Sequence, residues 1–265
     1  MTHGTGPDPS PDPAVPQRGR AMGPDPAAPR DAQPHCDDQV SRIMHDYASL
    51  EPGQGDAWNP VAAEPEVVHR VALFRAVVSA LRASGRPMEA LRVLDVGCGT
   101  GRSSRMYVDL GIDPGNIHGI DVRPNAVEAA RRLHPGIQFS VPPPSDSLCT
   151  GSRSNWVHVS TVFSSVPTAH YRKTLAKRIL DTLPAGGLVF YFDRLKANEF
   201  AGGDALSAAT LFPGLEPLYR QSFITWRLRQ ELAPRDVSRL KLAYCRLKDA
   251  LGLLAPTHEA VLLRK

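Results

Sequence analysis

The chain has few of the groups that would mark it as disulfide-stapled, metal-built or membrane-spanning. It has four cysteines in 265 residues, Cys36, Cys98, Cys149 and Cys245, and they stand far apart. No C-x-x-C pair occurs, and no histidine joins a cysteine at metal-ligand spacing. A disulfide framework and a zinc site are therefore excluded as organising devices, and the expected compartment is a reducing cytoplasm. No apolar run reaches the roughly 18 residues of a membrane span. The first residues lack a basic stretch followed by an apolar one, so no secretory leader is expected. Concentrated positive charge is also missing. Lys and Arg (31) exceed Asp and Glu (27) by only four, although the pI is near 9.0. The densest basic cluster, Arg172, Lys173, Lys177 and Arg178, has helical spacing and reads as a solvated helix face. A nucleic-acid partner is disfavoured, because a phosphate-tracking surface needs clustered charge.

Proline, by contrast, is abundant and badly distributed. Residues 1–34 hold nine prolines, and Gly-Pro-Asp-Pro occurs at 6–9 and again at 23–26. Such a segment cannot build a core. Residues 1–38 are expected to be a disordered tail. Residues 39–90 are expected to form an N-terminal helical cap or lid. Val67, Val71, Phe74, Val78 and Leu81 lie at helical spacing, and Ser84-Gly85 ends the run.

From Leu91 the pattern alternates strand and helix. Strands are expected at 91–96, 117–122, 137–141, 156–163 and 188–193, with helices at 103–110, 124–133 and 168–183. Pro124 suits the first turn of its helix, and Pro135-Gly136 ends it. Less regular elements follow: a strand near 223–226, a helix across 235–251 and a last strand at 259–263. Repeated β-then-α order predicts an α/β fold, a doubly wound, mostly parallel seven-stranded sheet with helices on both faces. The core is placed at 91–265, with a substrate-cover insertion at about 196–235.

VLDVGCGTGR at 93–102 carries the chemistry. A buried strand delivers the chain to the carboxyl edge of the sheet, where open α/β folds bind ligands. Gly97, Gly99 and Gly101 then recur at every second position, and the next helix offers free N–H groups. Dinucleotide enzymes use G-x-G-x-x-G, whose third glycine falls where this chain has Arg102. An NAD-linked oxidoreductase is therefore the weaker reading. Asp121 ends the neighbouring strand, where a carboxylate can accept from both hydroxyls of a ribose. Together these features describe a nucleoside site.

VLDVGCGTG followed by GIDVRPNAVEAAR resembles the class I methyltransferases that use S-adenosylmethionine. The resemblance covers about residues 91–194. LPAGGLVFYFD at 183–193 resembles the Pro-Gly-Gly turn before the fifth strand of that Rossmann-like fold. The resemblance implies that Asp95 orients the glycine loop or meets the methionine amino group. It implies that Gly97, Cys98, Gly99 and Gly101 form the loop beneath the cofactor. Asp121 would bind the ribose hydroxyls and Val122 would pack on adenine. Thr161, Val162 and Phe163 would sit beside the methionine portion. Asp146 is the one acid in the loop after the third strand, where the family often holds the adenine amine. TVFSSVP at 161–167 and the final THEAVLLRK resemble bacterial enzymes that modify sugars and small metabolites.

The implied reaction is methyl transfer from S-adenosylmethionine to a hydroxyl, or an amine, of a small-molecule acceptor, in secondary metabolism or antibiotic biosynthesis. Alignment of donor and nucleophile is worth about 7–11 kcal/mol in favourable models. A hydroxyl also needs a base. His170 and Asp193 are the candidates, each near the carboxyl edge. Tyr47 and Trp58 are candidate lid residues. Methyl transfer from a sulfonium needs no metal, and no metal cluster is expected. The reading leaves a homodimer open, and also a non-catalytic subunit or sensor that keeps the cofactor.

Overall fold

The computed structural model describes residues 40–45, 64–142, 154–196, 204–223 and 256–265, with positions 243, 244 and 247. These all fall within one compact unit, Pro34–Lys265. Tyr47, Trp58, Asp146 and the expected tail at 1–38 lie outside the described residues, as does most of the helix expected at 235–251.

The described strands are β1 (Val93–Val96), β2 (Ile117–Ile120), β3 (Gln138–Ser140), β4 (Trp156–Ser160), β5 (Leu188–Arg194), β6 (Glu216–Phe223) and β7 (His258–Arg264). They form one seven-stranded sheet in the order β3-β2-β1-β4-β5-β7-β6. The first five pair in parallel, and β7 runs antiparallel to both β5 and β6. The expected doubly wound, mostly parallel sheet is present. Its order reverses direction at β1, so β1 and β4 diverge from a crevice at their carboxyl ends.

The helices are α1 (Glu64–Ser84), α2 (Arg102–Asp109), α3 (Pro124–Leu133), α4 (Ala169–Thr182) and the short α5 (Ala208–Leu211). Side chains of a strand alternate between faces, and the core divides accordingly. Leu94, Val96, Val157, Val159, Val189 and Tyr191 pack with Leu175 and Ile179 of α4. Val93, Trp156, Phe190 and Phe192 pack on the other face with Val77 of α1, Tyr107 of α2 and Val127 of α3. Helices thus cover both faces.

Several local expectations need correction. In α1 the buried residues are Leu73, Ala76, Val77, Ala80 and Leu81, while Val67, Val71 and Phe74 are exposed. The helix carries two apolar stripes, and the sheet takes the one whose alanines permit close approach. Strand β4 stops at Ser160. Thr161 adopts φ 55°, and Phe163–Ser165 forms a single 3₁₀ turn. A strand runs over Glu216–Phe223; of the strand expected near 223–226, residues 224–226 lie outside the described residues. Strand β6 is an exposed edge whose register shifts between Pro217 and Tyr219, and proline with charged side chains there hides the strand pattern. Arg172 is not solvated. It is buried, donates from Nε to the Val166 carbonyl at 3.0 Å and pairs through Nη1 with Asp204 at 2.8 Å.

Beneath the sheet a polar chain links Trp156, Tyr107 and His158. Trp156 Nε1 donates to Tyr107 Oη, which lies 2.8 Å from His158 Nδ1. The indole N–H can only donate, so Tyr107 Oη accepts from Trp156. Burial pushes His158 down to about 3, which keeps the ring neutral.

Candidate active site

The glycine turn is anchored to the neighbouring strand before any ligand is considered. Gly97 and Cys98 both donate their N–H to the Ile120 carbonyl, at 2.8 and 3.0 Å. The turn then enters α2, whose Arg105 N–H bonds the Gly101 carbonyl. Gly97 and Gly99 have φ of 72° and 55°, a region that penalises residues with a Cβ. Their surroundings differ. A Cβ on Gly97 would lie 2.5 Å from Val162 Cγ2, and one on Gly101 would lie 2.7 Å from the Phe139 ring. Those two glycines make room for the protein's own side chains. Of these three glycines only Gly99 has an open Cα face among the described residues, with Arg123 Nη2 the one atom near, at 3.5 Å. Bare backbone for a ligand is thus offered at one glycine of the three.

Asp121 follows β2 and is buried. Its Oδ2 accepts from the Gly99 N–H at 2.8 Å, and its Oδ1 from the Arg123 N–H at 3.0 Å. The Arg123 guanidinium adds Nε to Oδ1 at 3.0 Å and Nη2 to Oδ2 at 3.2 Å. The structure therefore brings Gly99 and Asp121 into direct contact. Val122, half-buried beside them, packs against the core. Arg123 is the residue the sequence reading missed; its only signal is its position two residues after the strand-end acid.

Asp95 is fully buried in β1, and its Oδ2 accepts from Ser104 Oγ at 2.6 Å. That bond ties the strand to α2 across the glycine turn. Burial pushes Asp95 up to about 7; Asp121 adds to the rise and the Ser104 bond opposes it. Cys98 is buried, and desolvation followed by the nearby acids drives its thiol far upward. It is no nucleophile.

The segment after β4 closes the crevice. Thr161 donates its N–H to the Phe192 carbonyl at 2.8 Å. Val162 is half-buried against Gly97. Phe163 is fully buried between Tyr191 and Phe212, so its ring belongs to the core and does not line the crevice. Asp193 is also fully buried. Its Oδ2 accepts from the Ser164 N–H at 3.2 Å and its Oδ1 from the Arg194 N–H at 2.8 Å. Burial pushes Asp193 up to about 6 against these hydrogen bonds. His170 is exposed in the first turn of α4, which Thr168 caps by accepting from the Tyr171 N–H. Arg172 and Asp193 thus hold the 162–166 segment from its two sides.

Residues 93–187 match the model of a family described as a methyltransferase domain. That segment, about a third of the chain, is a methyltransferase domain. No curated protein matches this sequence. Among solved structures, the chain is similar to the N-methyltransferase NodS of Bradyrhizobium japonicum, in complex with S-adenosylhomocysteine. The identity is 14%, the TM-score 0.55, and the match covers 86% of this chain and 98% of that one. It is also similar to a candidate sarcosine dimethylglycine methyltransferase of Galdieria sulphuraria, with 15% identity and a TM-score of 0.52, over 74% and 86% of the two chains. At these identities the likeness is one of fold. The described residues include no group of metal-ligating side chains and no helix long and apolar enough to cross a membrane.

Proposed function

We propose that the enzyme transfers the methyl group of S-adenosylmethionine to a small-molecule acceptor through the crevice at the carboxyl ends of β1, β2 and β4. The observation that carries this reading is the Asp121 carboxylate bonded to Gly99 beside that glycine's open face. The site residues fit the group. Asp121 would hold the ribose hydroxyls, Val122 would pack on the adenine, and the backbone of 97–99 would support the ribose and methionine. Asp95, through Ser104, keeps the turn in shape. Asp146 remains our candidate for the adenine amine, and Tyr47 and Trp58, with segments 39–65 and 224–235, our candidates for the cover; residues 206–212 and 216–223 of the expected insertion belong instead to the core and to edge strand β6. S-adenosylmethionine supplies a methyl already activated on a sulfonium, so the protein's part is alignment.

The acceptor follows from the two candidate bases. Asp193 is fully buried and accepts a backbone N–H on each oxygen, which makes it a positioning residue for the 162–166 segment. His170 points from an exposed helix turn. A neutral amine attacks with its own lone pair and needs no base, whereas a hydroxyl has to lose a proton. Amine methylation is therefore favoured over the hydroxyl methylation that the sequence suggests. A role in tailoring secondary metabolites in the cytoplasm rests on the resemblance of 161–167 and 257–265 to small-metabolite enzymes and on the isolated cysteines.

The test is calorimetric titration with S-adenosylhomocysteine, with NAD as control, followed by methyl transfer to matched panels of amines and alcohols. Micromolar binding of S-adenosylhomocysteine alone and turnover on amines are expected. NAD binding in its place would sink the reading. Turnover confined to alcohols, abolished in His170→Ala, would restore the hydroxyl assignment.

A further inference from the structure

The Asp121 carboxylate has no acceptor capacity left. An ionised carboxylate offers about four lone-pair positions on two oxygens. Oδ1 takes the Arg123 N–H and Arg123 Nε; Oδ2 takes the Gly99 N–H and Arg123 Nη2. A ribose diol needs two of these positions. The two backbone donors are fixed, one by the turn that leads into α2 and one by the turn that leads into α3. Among the described residues the guanidinium is the only side-chain partner, and it holds one position on each oxygen. Its departure would free one acceptor for each hydroxyl. The same guanidinium also stands 3.5 Å from where a Cβ of Gly99 would be, over the one open glycine face of the turn. Acceptor positions and ligand surface are therefore covered by one group.

We infer that Arg123 is a displaceable plug of the nucleoside site, a residue that sets cofactor affinity by competing with the ribose hydroxyls for Asp121. This rests on the cofactor reading given above. The geometry suits exchange. The Arg123 side chain is 25% exposed while that of Asp121 is 5% exposed, so the arginine can swing into water while the acid stays in place. Bonds lost to the guanidinium are replaced one for one by bonds from the diol. What the ligand gains at Asp121 is accordingly less than two new hydrogen bonds. The pair keeps partial contact with solvent through the arginine, which limits its strength, and removing this competitor should raise affinity about fivefold.

The experiment is calorimetric titration of the full chain with S-adenosylhomocysteine for wild type, Arg123→Ala and Arg123→Lys. The lysine keeps the charge but cannot bridge both oxygens. Expected are about fivefold tighter binding for Arg123→Ala and an intermediate value for Arg123→Lys. Raising the salt concentration should tighten wild type, by weakening the pair, and leave Arg123→Ala less affected. If wild type binds and both variants bind equally or more weakly, the arginine assists the ligand and the plug is refuted. If no form binds S-adenosylhomocysteine, the cofactor reading fails and the plug with it. Binding by Arg123→Ala alone would support both.

Discussion

Val162 occupies the space that a side chain on Gly97 would need, with Cγ2 at 2.5 Å from the Cβ position. The two residues lock the glycine turn against the segment that follows β4. Gly97→Ala adds this clash to the cost of a Cβ at φ 72°. It should lose about 2–3 kcal/mol of stability, measured by denaturant unfolding. The double variant Gly97→Ala/Val162→Ala should recover the steric part and keep the backbone part. A double variant no more stable than Gly97→Ala alone would show that the contact does not matter.

Thr161 is the one non-glycine residue with positive φ among those described, and it is β-branched. A left-handed conformation there costs about 1–2 kcal/mol. Asparagine tolerates that region and adds no freedom to the unfolded chain. Thr161→Asn should raise stability by about 0.5–1 kcal/mol, read as a higher Tm. An unchanged or lower Tm would mean that packing of the threonine outweighs the strain.

Buried acids and buried imidazoles oppose each other in pH dependence. Asp95 and Asp193 titrate in the folded protein at about 7 and about 6, above their value of 3.8. The folded state then holds more protons than the unfolded chain, so these two groups lower stability as pH rises from about 4 to 6–7. His158 and His258 are pushed down to about 3 from 6.5, mainly by burial. Their unfolded forms hold more protons, so they raise stability as pH rises from about 3 to 6.5. Asp193→Asn should therefore gain on wild type across pH 4 to 6, whatever its absolute cost. His158→Gln should gain on wild type as pH falls below 6.5. Parallel stability curves for variant and wild type would refute the assignment.

Asp204 is half-exposed, but its partner Arg172 is buried. Asp204→Ala removes the carboxylate that pairs with Nη1 of that buried guanidinium. The loss should be about 1–2 kcal/mol, above the near-zero value of a surface pair and below the 3–5 of a fully buried one. Arg172→Leu should loosen the 162–166 segment and weaken S-adenosylhomocysteine binding, while Asp204→Ala alters it less. Equal effects of the two on binding would argue that Arg172 acts through the pair alone.

The sheet and the turn were legible because their signals are local. Pro124 and Pro135 bracket α3, whose limits match the expected 124–133. The glycine spacing and Asp121 needed only strand order to be brought together. Other features depend on partners distant in sequence. Arg172 reads as a surface residue until Val166 and Asp204 surround it. The two apolar stripes of α1 are equivalent in periodicity, and the sheet's need for small residues selects between them. Edge strand β6 buries little, so its sequence carries charge and proline where alternation was sought. Arg123 gives no pattern at all, because its role depends on how many lone pairs Asp121 has left.

The position of β7 has a consequence for biosynthesis. It is the last of the seven strands to be made, yet it lies inside the sheet, between β5 and β6. Until the ribosome releases residues 258–264, β6 has no neighbour to pair with and β5 keeps one bare edge. The parallel part, with the nucleoside crevice, can assemble first. The remainder waits, and during that interval the newborn chain offers an unpaired strand to any chaperone or to a second chain.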